Sequence, residues 1–260
     1  MSDLIRTSEA DGVMEITINR PEKRNALTVP MYAAMADALV RAAADPAVCA
    51  VLITGSGGAF TAGNDLKDFL ESPDASIGPG DVDRPVLRFL CAIATAPKPV
   101  VAAVHGAAVG IGTTMLLHCD MVVAGHGARF QLPFTNLGLV PEAASSLLLP
   151  RVVGMQRAAE MLLLGEAIDA ATAHQWGLVN RLVADAEVLG TARSLARKLA
   201  AQAPKAVQLT KALMRGNDAA VAARMAEEGT MFAAQMKSAE LKEAVAAFFE
   251  KRPPDFRKAG

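Results

Sequence analysis

Pro99-Val-Val-Ala-Ala-Val-His-Gly-Ala-Ala-Val-Gly-Ile-Gly112 is the stretch on which the reading of this chain turns. It is apolar enough, continued to Leu117, to raise the question of a membrane span. His105 and the glycines at 106, 110 and 112 argue instead for a buried strand that runs into a buried helix. Ala47 to Thr54 (AVCAVLIT), closed by Gly55-Ser-Gly-Gly, and Met121 to Ala124 read as strands of the same buried kind. Val13 to Asn19 (VMEITIN) alternates apolar and polar residues, as a half-buried strand does. Between these runs, Thr28 is placed to cap a helix reaching about Ala44, with Met31, Met35, Leu39 and Val40 near helical spacing. Strands alternating with helices predict an α/β architecture.

Past about Ala184 the strand signals cease. Glu187 to Ala203, Pro204 to Arg215 and Asp218 to Glu250 read as helices rich in Ala, Leu, Met, Lys and Glu. This part is too small and Ala-rich for a large core of its own, so it is expected to pack on the first part or on another subunit. Met214, Met225, Met231 and Met236 are expected to fill gaps there. The division expected is a core over 1–195 and a helical region over 196–260. Glu71 to Pro85, rich in Pro, Gly, Asp and Ser, reads as a surface loop.

The chain has 260 residues, 52% hydrophobic and 20% charged, enough to bury a substantial core. A net charge of −1 with scattered Lys and Arg argues against a nucleic-acid footprint. Cys49, Cys91 and Cys119 lack metal-like spacing and suggest reduced thiols. The opening MSDLIRTSEADG lacks the layout of a signal peptide, so a soluble, cytoplasmic protein with no membrane association is expected. The four histidines have no metal-ligand spacing, and no metal site is expected. GxSxG, SxxK, HExxH and Walker motifs are absent, and Phe60 stands where a dinucleotide fingerprint needs its third glycine.

Glu142 is the one carboxylate between Asp120 and Glu160, set in Leu137-Gly-Leu-Val-Pro-Glu-Ala-Ala-Ser-Ser-Leu-Leu-Leu-Pro150. Two readings are open from these residues. An acid in such apolar surroundings is desolvated, which raises its pKa toward proton-transfer chemistry. Alternatively Pro141 and Glu142 form a helix first turn, where a carboxylate suits the macrodipole.

Four separated segments together resemble one family. They are Asn19-Arg-Pro-Glu-Lys-Arg-Asn-Ala-Leu27, Phe60-Thr-Ala-Gly-Asn-Asp-Leu-Lys67, the Pro99 to Gly112 stretch, and Ala247-Phe-Phe-Glu-Lys-Arg-Pro-Pro-Asp-Phe256. In order and over nearly the whole chain, they resemble the enoyl-CoA hydratase/isomerase (crotonase) superfamily. The resemblance implies a spiral of ββα units followed by a helical trimerisation region, assembled as a homotrimer or hexamer. It implies an acyl-CoA thioester substrate and no separate cofactor, coenzyme A being part of that substrate. The backbone N–H groups of Ala62 and Ile111 would form an oxyanion hole, Ile111 standing where glycine is usual. Such amides stabilise the enolate formed when a proton leaves the carbon beside a thioester. Coenzyme A would bind along Lys23, Arg24, Ala26, Ala62, Asp65 and Leu66, with Phe248 and Lys251 of a neighbouring subunit closing over the adenosine. Leu66, Phe69, Leu70, Phe134 and Leu137 would wall the acyl pocket.

By the same resemblance, the two glutamates that hydratases use fall at Thr114 and Phe134, neither of which exchanges a proton near neutral pH. Asn136-Leu-Gly-Leu-Val-Pro-Glu-Ala-Ala-Ser-Ser146 is similar to the peroxisomal type of Δ3,Δ2-enoyl-CoA isomerase, whose single catalytic glutamate matches Glu142. A phenylacetate-pathway isomerase places an aspartate there. The activity implied is a 3-enoyl-CoA to 2-enoyl-CoA isomerisation with Glu142 as acid and base. The alternatives are an enoyl-CoA hydratase, an aromatic-catabolism CoA isomerase, or a non-catalytic acyl-CoA-binding protein.

Overall fold

A computed structural model describes residues 3–65, 67, 84–216 and 218–258. The glycine-rich stretch begins as the expected buried strand, but a second strand comes between it and a helix of one turn. Val100–Val104 forms strand β4, every residue buried, and the chain then turns at Gly106 into a second short strand, Ala107–Val109 (β5). The helix that follows, Ile111–Thr114 (α3), is only one turn long and passes into a 3₁₀ turn over Met115–His118.

The main sheet has six strands. In spatial order they are β1 (Ile5–Ala10), β2 (Val13–Ile18), β3 (Ala50–Gly55), β4, β6 (Met121–Gly125) and β9 (Arg181–Val183). All neighbouring pairs are parallel except β1 with β2. The central strands β3 and β4 are buried throughout, which is why they read as continuous apolar runs. Strand β1 (IRTSEA) escapes such a reading because it is an exposed edge carrying Arg6 and Glu9. It is joined to β2 by Asp11 (φ 54°) and Gly12 (φ 74°), a two-residue turn whose positive φ values match strand twist. A smaller sheet runs β5, β7 (Arg129–Gln131), β8 (Ile168–Asp169). Its strands are two or three residues long, too short for a hydrophobic period to register.

Helix α1 (Val29–Ala44) buries Met31, Tyr32, Met35 and Leu39 against the sheet and against α2 (Pro85–Ala94), leaving Val40 outside. Thr28 occupies its N-cap position without a side-chain bond; the Thr28 carbonyl accepts from Met31 N–H instead. Helices α4 (Ser145–Val153), α5 (Met155–Ala159) and α6 (Ala170–Gln175) follow. Helix α7 (Val188–Ala200) then packs Val188, Ala192, Leu195 and Ala196 on the main sheet. Helix α8 is Pro204–Arg215.

The expected helix over 218–250 is two helices, α9 (Asp218–Gln235) and α10 (Ala239–Glu250). Ser238 divides them and caps α10, accepting from Leu241 N–H at 3.0 Å. Met225 is buried, whereas Met214 and Met231 stand exposed. The loop expected over Glu71 to Pro85 lies outside the described residues except for its last two, Arg84 and Pro85. Pro85 begins α2. No described helix is long and apolar enough to cross a membrane.

Candidate active site

Two segments of polar sequence form one unit beside the sheet. Asn25, fully buried at φ 58°, donates from Nδ2 to the carbonyls of Ser56 (2.8 Å) and Ala59 (2.7 Å), and its Oδ1 accepts from Arg20 N–H at 2.8 Å. Thr61 Oγ1 donates to the Asn25 carbonyl at 2.7 Å. Arg20 reaches across to Asp65, Nη1 to Oδ2 2.7 Å, and to the Ala26 carbonyl at 3.0 Å. The chain from Thr61 to Asn64 therefore runs between Leu27 on one side and Ala108 of β5 on the other. At Gly63 (φ 88°) it passes so close to Val109 that a Cβ would lie 2.9 Å from the Val109 carbonyl oxygen.

A cavity of about 260 Å³ opens beside this unit. Ala62, Gly63 and Asn64 form one side and Val109, Gly110 and Ile111 another; Phe134, Leu137 and Leu139 add an apolar wall. Phe232 of α9 and Leu241, Val245 and Phe248 of α10 roof it. Phe248 lines the cavity of its own chain and is 59% exposed. Among the described residues that line the cavity, Glu142 is the only carboxylate.

Glu142 does not start a helix. Its residue is 4% exposed, and the chain after it turns through Ala143 (φ 59°) and Ala144 (φ 54°) before α4 begins at Ser145. Two successive alanines in the left-handed region cost roughly 1–2 kcal/mol each, so the turn persists only because its surroundings hold it. Ser145 returns both N–H (3.0 Å) and Oγ (2.6 Å) to the Glu142 carbonyl. His118 Nε2 donates to the Ala143 carbonyl at 2.8 Å. Burial holds the His118 imidazole neutral, its pKa lowered to about 4.

The Glu142 side chain receives one hydrogen bond, from Thr114 Oγ1 to Oε1, while Oε2 is buried without a partner among the described residues. Burial pushes the carboxyl up to about 8; the Thr114 bond pulls it down and the nearby Glu228 charge adds to the rise. The group can therefore hold or release a proton near neutral pH, which a solvated helix cap could not do. Thr114, buried and with a hydroxyl that does not ionise near neutral pH, serves it as a donor.

The expectation for Ala62 is not met. Its N–H is donated to the Arg24 carbonyl at 2.9 Å and is closed to a ligand. Leu27 bonds to the residues on either side, N–H to Gly63 O at 2.8 Å and carbonyl from Asp65 N–H at 2.9 Å, which leaves the Asn64 N–H undonated among the described residues. The same holds for Ile111, the first residue of α3. Gly110 takes the positive φ (55°) at this corner, so Ile111 keeps a negative φ and is buried in the cavity wall. The Asn64 side chain is fixed by Tyr32, whose hydroxyl donates to Oδ1.

Lys23 and Arg24 are exposed on the turn that precedes this unit, with Ala26 half-buried next to them. Asp65 is engaged by Arg20 and also receives Lys67 N–H at 3.1 Å, so its carboxylate braces the two segments. Lys251 is exposed at the C-cap of α10, one turn beyond Phe248. Leu66, Phe69 and Leu70 lie outside the described residues. A larger cavity, about 740 Å³, opens beneath α8. Its buried charges are satisfied: Asp120 is paired by Lys211 (2.6 Å) and Arg215 (3.1 Å).

A desolvated acid that shares a cavity with two amides undonated among the described residues can move a proton next to a polarised oxygen. Residues 8–259 match the family model described as "Enoyl-CoA hydratase/isomerase". The chain belongs to this family. It is 37% identical to the 1,2-epoxyphenylacetyl-CoA isomerase of Escherichia coli (98% of this chain, 99% of that one). It is 38% identical to the 2,3-dehydroadipyl-CoA hydratase of the same organism (99% of each). Among solved structures, an enoyl-CoA hydratase/isomerase from Pseudoalteromonas atlantica superposes with a TM-score of 0.91 at 48% identity, covering 98% of this chain and all of that one. The family membership makes this chain a crotonase-fold acyl-CoA enzyme. Sequence reasoning missed Asn64, Asn25, His118 and Glu228 at this site, because each acts through contacts 25 or more residues away in sequence or through a backbone amide.

Proposed function

We propose that the protein is an acyl-CoA double-bond isomerase that converts 3-enoyl-CoA to 2-enoyl-CoA, with Glu142 as its single proton carrier. The observation that supports this most directly is the unpartnered Oε2 of Glu142 in a cavity whose described lining holds no second carboxylate. In this reading the thioester oxygen accepts from Asn64 and Ile111 N–H. Glu142 carboxylate removes a C2 proton, and the electron pair of that C–H bond passes into a dienolate whose oxygen the two amides hold. Each amide contributes on the order of 3 kcal/mol to that charged state. The Glu142 acid then returns the proton at C4, the C2=C3 bond forms, and the carboxylate is restored. Atoms and charge balance with no water consumed. The apolar walls Phe134, Leu137 and Leu139 favour that outcome by keeping water off the dienolate.

Syn hydration needs a group to activate water and another to protonate carbon. At the two hydratase positions this chain has Thr114, already donating to Glu142, and Phe134, an apolar wall. We further infer that coenzyme A lies along Lys23, Arg24 and Ala26, the cationic side of the turn joined to Asn64, with Lys251 near its other edge. A homotrimeric or hexameric assembly accords with the exposed Leu209, Leu213 and Met214 on α8. A second reading, ring or epoxide isomerisation of an aromatic acyl-CoA, is favoured by the likeness to the 1,2-epoxyphenylacetyl-CoA isomerase. It uses the same base.

Parallel incubation with a 3-enoyl-CoA and a 2-enoyl-CoA tests the assignment. Migration of the double bond without net hydration is expected, and hydration as the only reaction overturns it. Glu142→Gln should abolish migration; near-normal turnover by that variant removes Glu142 from the mechanism.

A further inference from the structure

The turn carrying Glu142 is gripped from behind by an acid on the C-terminal helices. Glu228 of α9 is 5% exposed. Its Oε2 accepts from Ala144 N–H at 2.6 Å, and its Oε1 accepts from Ser146 N–H at 3.0 Å and from Ser146 Oγ at 2.5 Å. These bonds fall on the second strained alanine and on the opening of α4, so they fix the backbone that aims Glu142. We propose that Glu228 is a positioning residue for Glu142, holding the turn through Ala144 and Ser146 and standing as a second anion behind it. This rests on Glu142 being the proton carrier.

The arrangement goes beyond a helix cap. A cap is met equally well by a neutral acceptor such as serine or asparagine. Here an acid is buried, against the desolvation of its charged form, beside the carboxyl of Glu142. The groups facing Glu142 leave Glu228 as its acidic neighbour. Thr114 of α3 supplies a hydroxyl, Tyr32 of α1 is a buried phenol whose pKa is raised well above its usual value, and His118 is neutral and spent on the Ala143 carbonyl. Arg224, one turn earlier on α9, bonds Ser146 Oγ at 3.3 Å and Glu227 at 3.2 Å. Burial raises the Glu228 carboxyl above its usual range, while its bonds to Ser146 and Ala144 and the Arg224 charge act against that rise and favour the ionised form. An ionised Glu228 disfavours a second charge on Glu142. Position and proton affinity of the base are thus both tied to the C-terminal helices that roof the cavity.

Glu228→Gln and Glu228→Asp separate the two effects when kcat and KM for a 3-enoyl-CoA are followed against pH. Gln keeps the shape, drops the charge and retains one acceptor oxygen. Its rising pH limb should move down by about one unit, with kcat lowered about tenfold and KM within about twofold. Asp keeps the charge but falls short of both amides, so the limb should stay while kcat drops. A Glu228→Gln limb superimposed on that of the wild type overturns the proposal, even if its melting temperature falls, since that is what a purely structural acid predicts. Should Glu228→Gln not fold, Ser146→Ala decides: it removes one bond to Oε1, and a wild-type kcat overturns the clamp while a severalfold loss at unchanged KM supports it. Glu142→Gln runs alongside. If it is inactive while Glu228→Gln behaves as wild type, only the role of Glu228 fails; if it is active, the proton-carrier reading fails first.

Discussion

Thr114 Oγ1 donates to Glu142 Oε1, and no described residue bonds the other carboxylate oxygen. One oxygen is thereby oriented, and the other is the one that the proposed mechanism assigns to substrate. The hydroxyl also favours the charged form, yet burial outweighs it and keeps the acid protonated up to about 8.

The pH dependence follows from that opposition. Proton abstraction needs the carboxylate, so kcat/KM should rise with pH and level off above about 8. Thr114→Val deletes the one bond that lowers the pKa. Its limb should move to higher pH, with activity at pH 7 reduced by roughly tenfold. A limb unmoved by this change denies Thr114 any hold on the base.

Glu142 should also leave a mark on stability. Its folded pKa, about 8, lies above the value of 4.5 expected when unfolded. Between those limits the folded state binds the extra proton, so this group's contribution to stability is full below about 4.5 and is lost as pH rises through 8. Glu142→Gln removes the dependence. The variant should match the wild type near pH 5 and exceed it by about 2 kcal/mol or more at pH 9, read from urea unfolding at both pH values.

Ile111 offers a way to delete an amide without altering the backbone path. It is the first residue of α3, a position where proline is accepted because the lost N–H is unpaired within the helix. Ile111→Pro should lower kcat by about 10²- to 10³-fold with the circular dichroism spectrum kept. Comparable turnover to wild type would mean that the thioester oxygen binds elsewhere.

The left-handed turn at Ala143 and Ala144 can be tested by shape alone. Ala144→Val brings a β-branched side chain to φ 54° and should cost about 2 kcal/mol or more, with a fall in kcat because Glu142 moves with the turn. Ala144→Gly relieves the conformation and should be neutral or stabilising by up to about 1 kcal/mol in spite of its extra unfolded-state freedom. Equal stabilities for both variants would contradict the strained geometry.

Hydrophobic pattern alone sufficed for the buried parallel strands β3, β4 and β6, because strands covered on both faces must be apolar along their length. The four motif segments likewise carried the family, and the isolation of Glu142 between Asp120 and Glu160 was visible in the order of residues. The edge strand β1 and the two- and three-residue strands of the small sheet were not legible, since neither is long or buried enough to impose a pattern. The choice of amide was likewise beyond reading. Ala62 and Asn64 are two residues apart on one motif, and only the pairing of this segment with Arg24 and Leu27 decides which N–H is consumed and which remains. Glu228, 86 positions from Glu142, became its partner only because α9 folds back onto the start of α4. Sequence fixes which groups can carry a proton or donate a bond; their freedom to do so depends on which neighbours have already claimed them, and that is settled by contacts between distant segments.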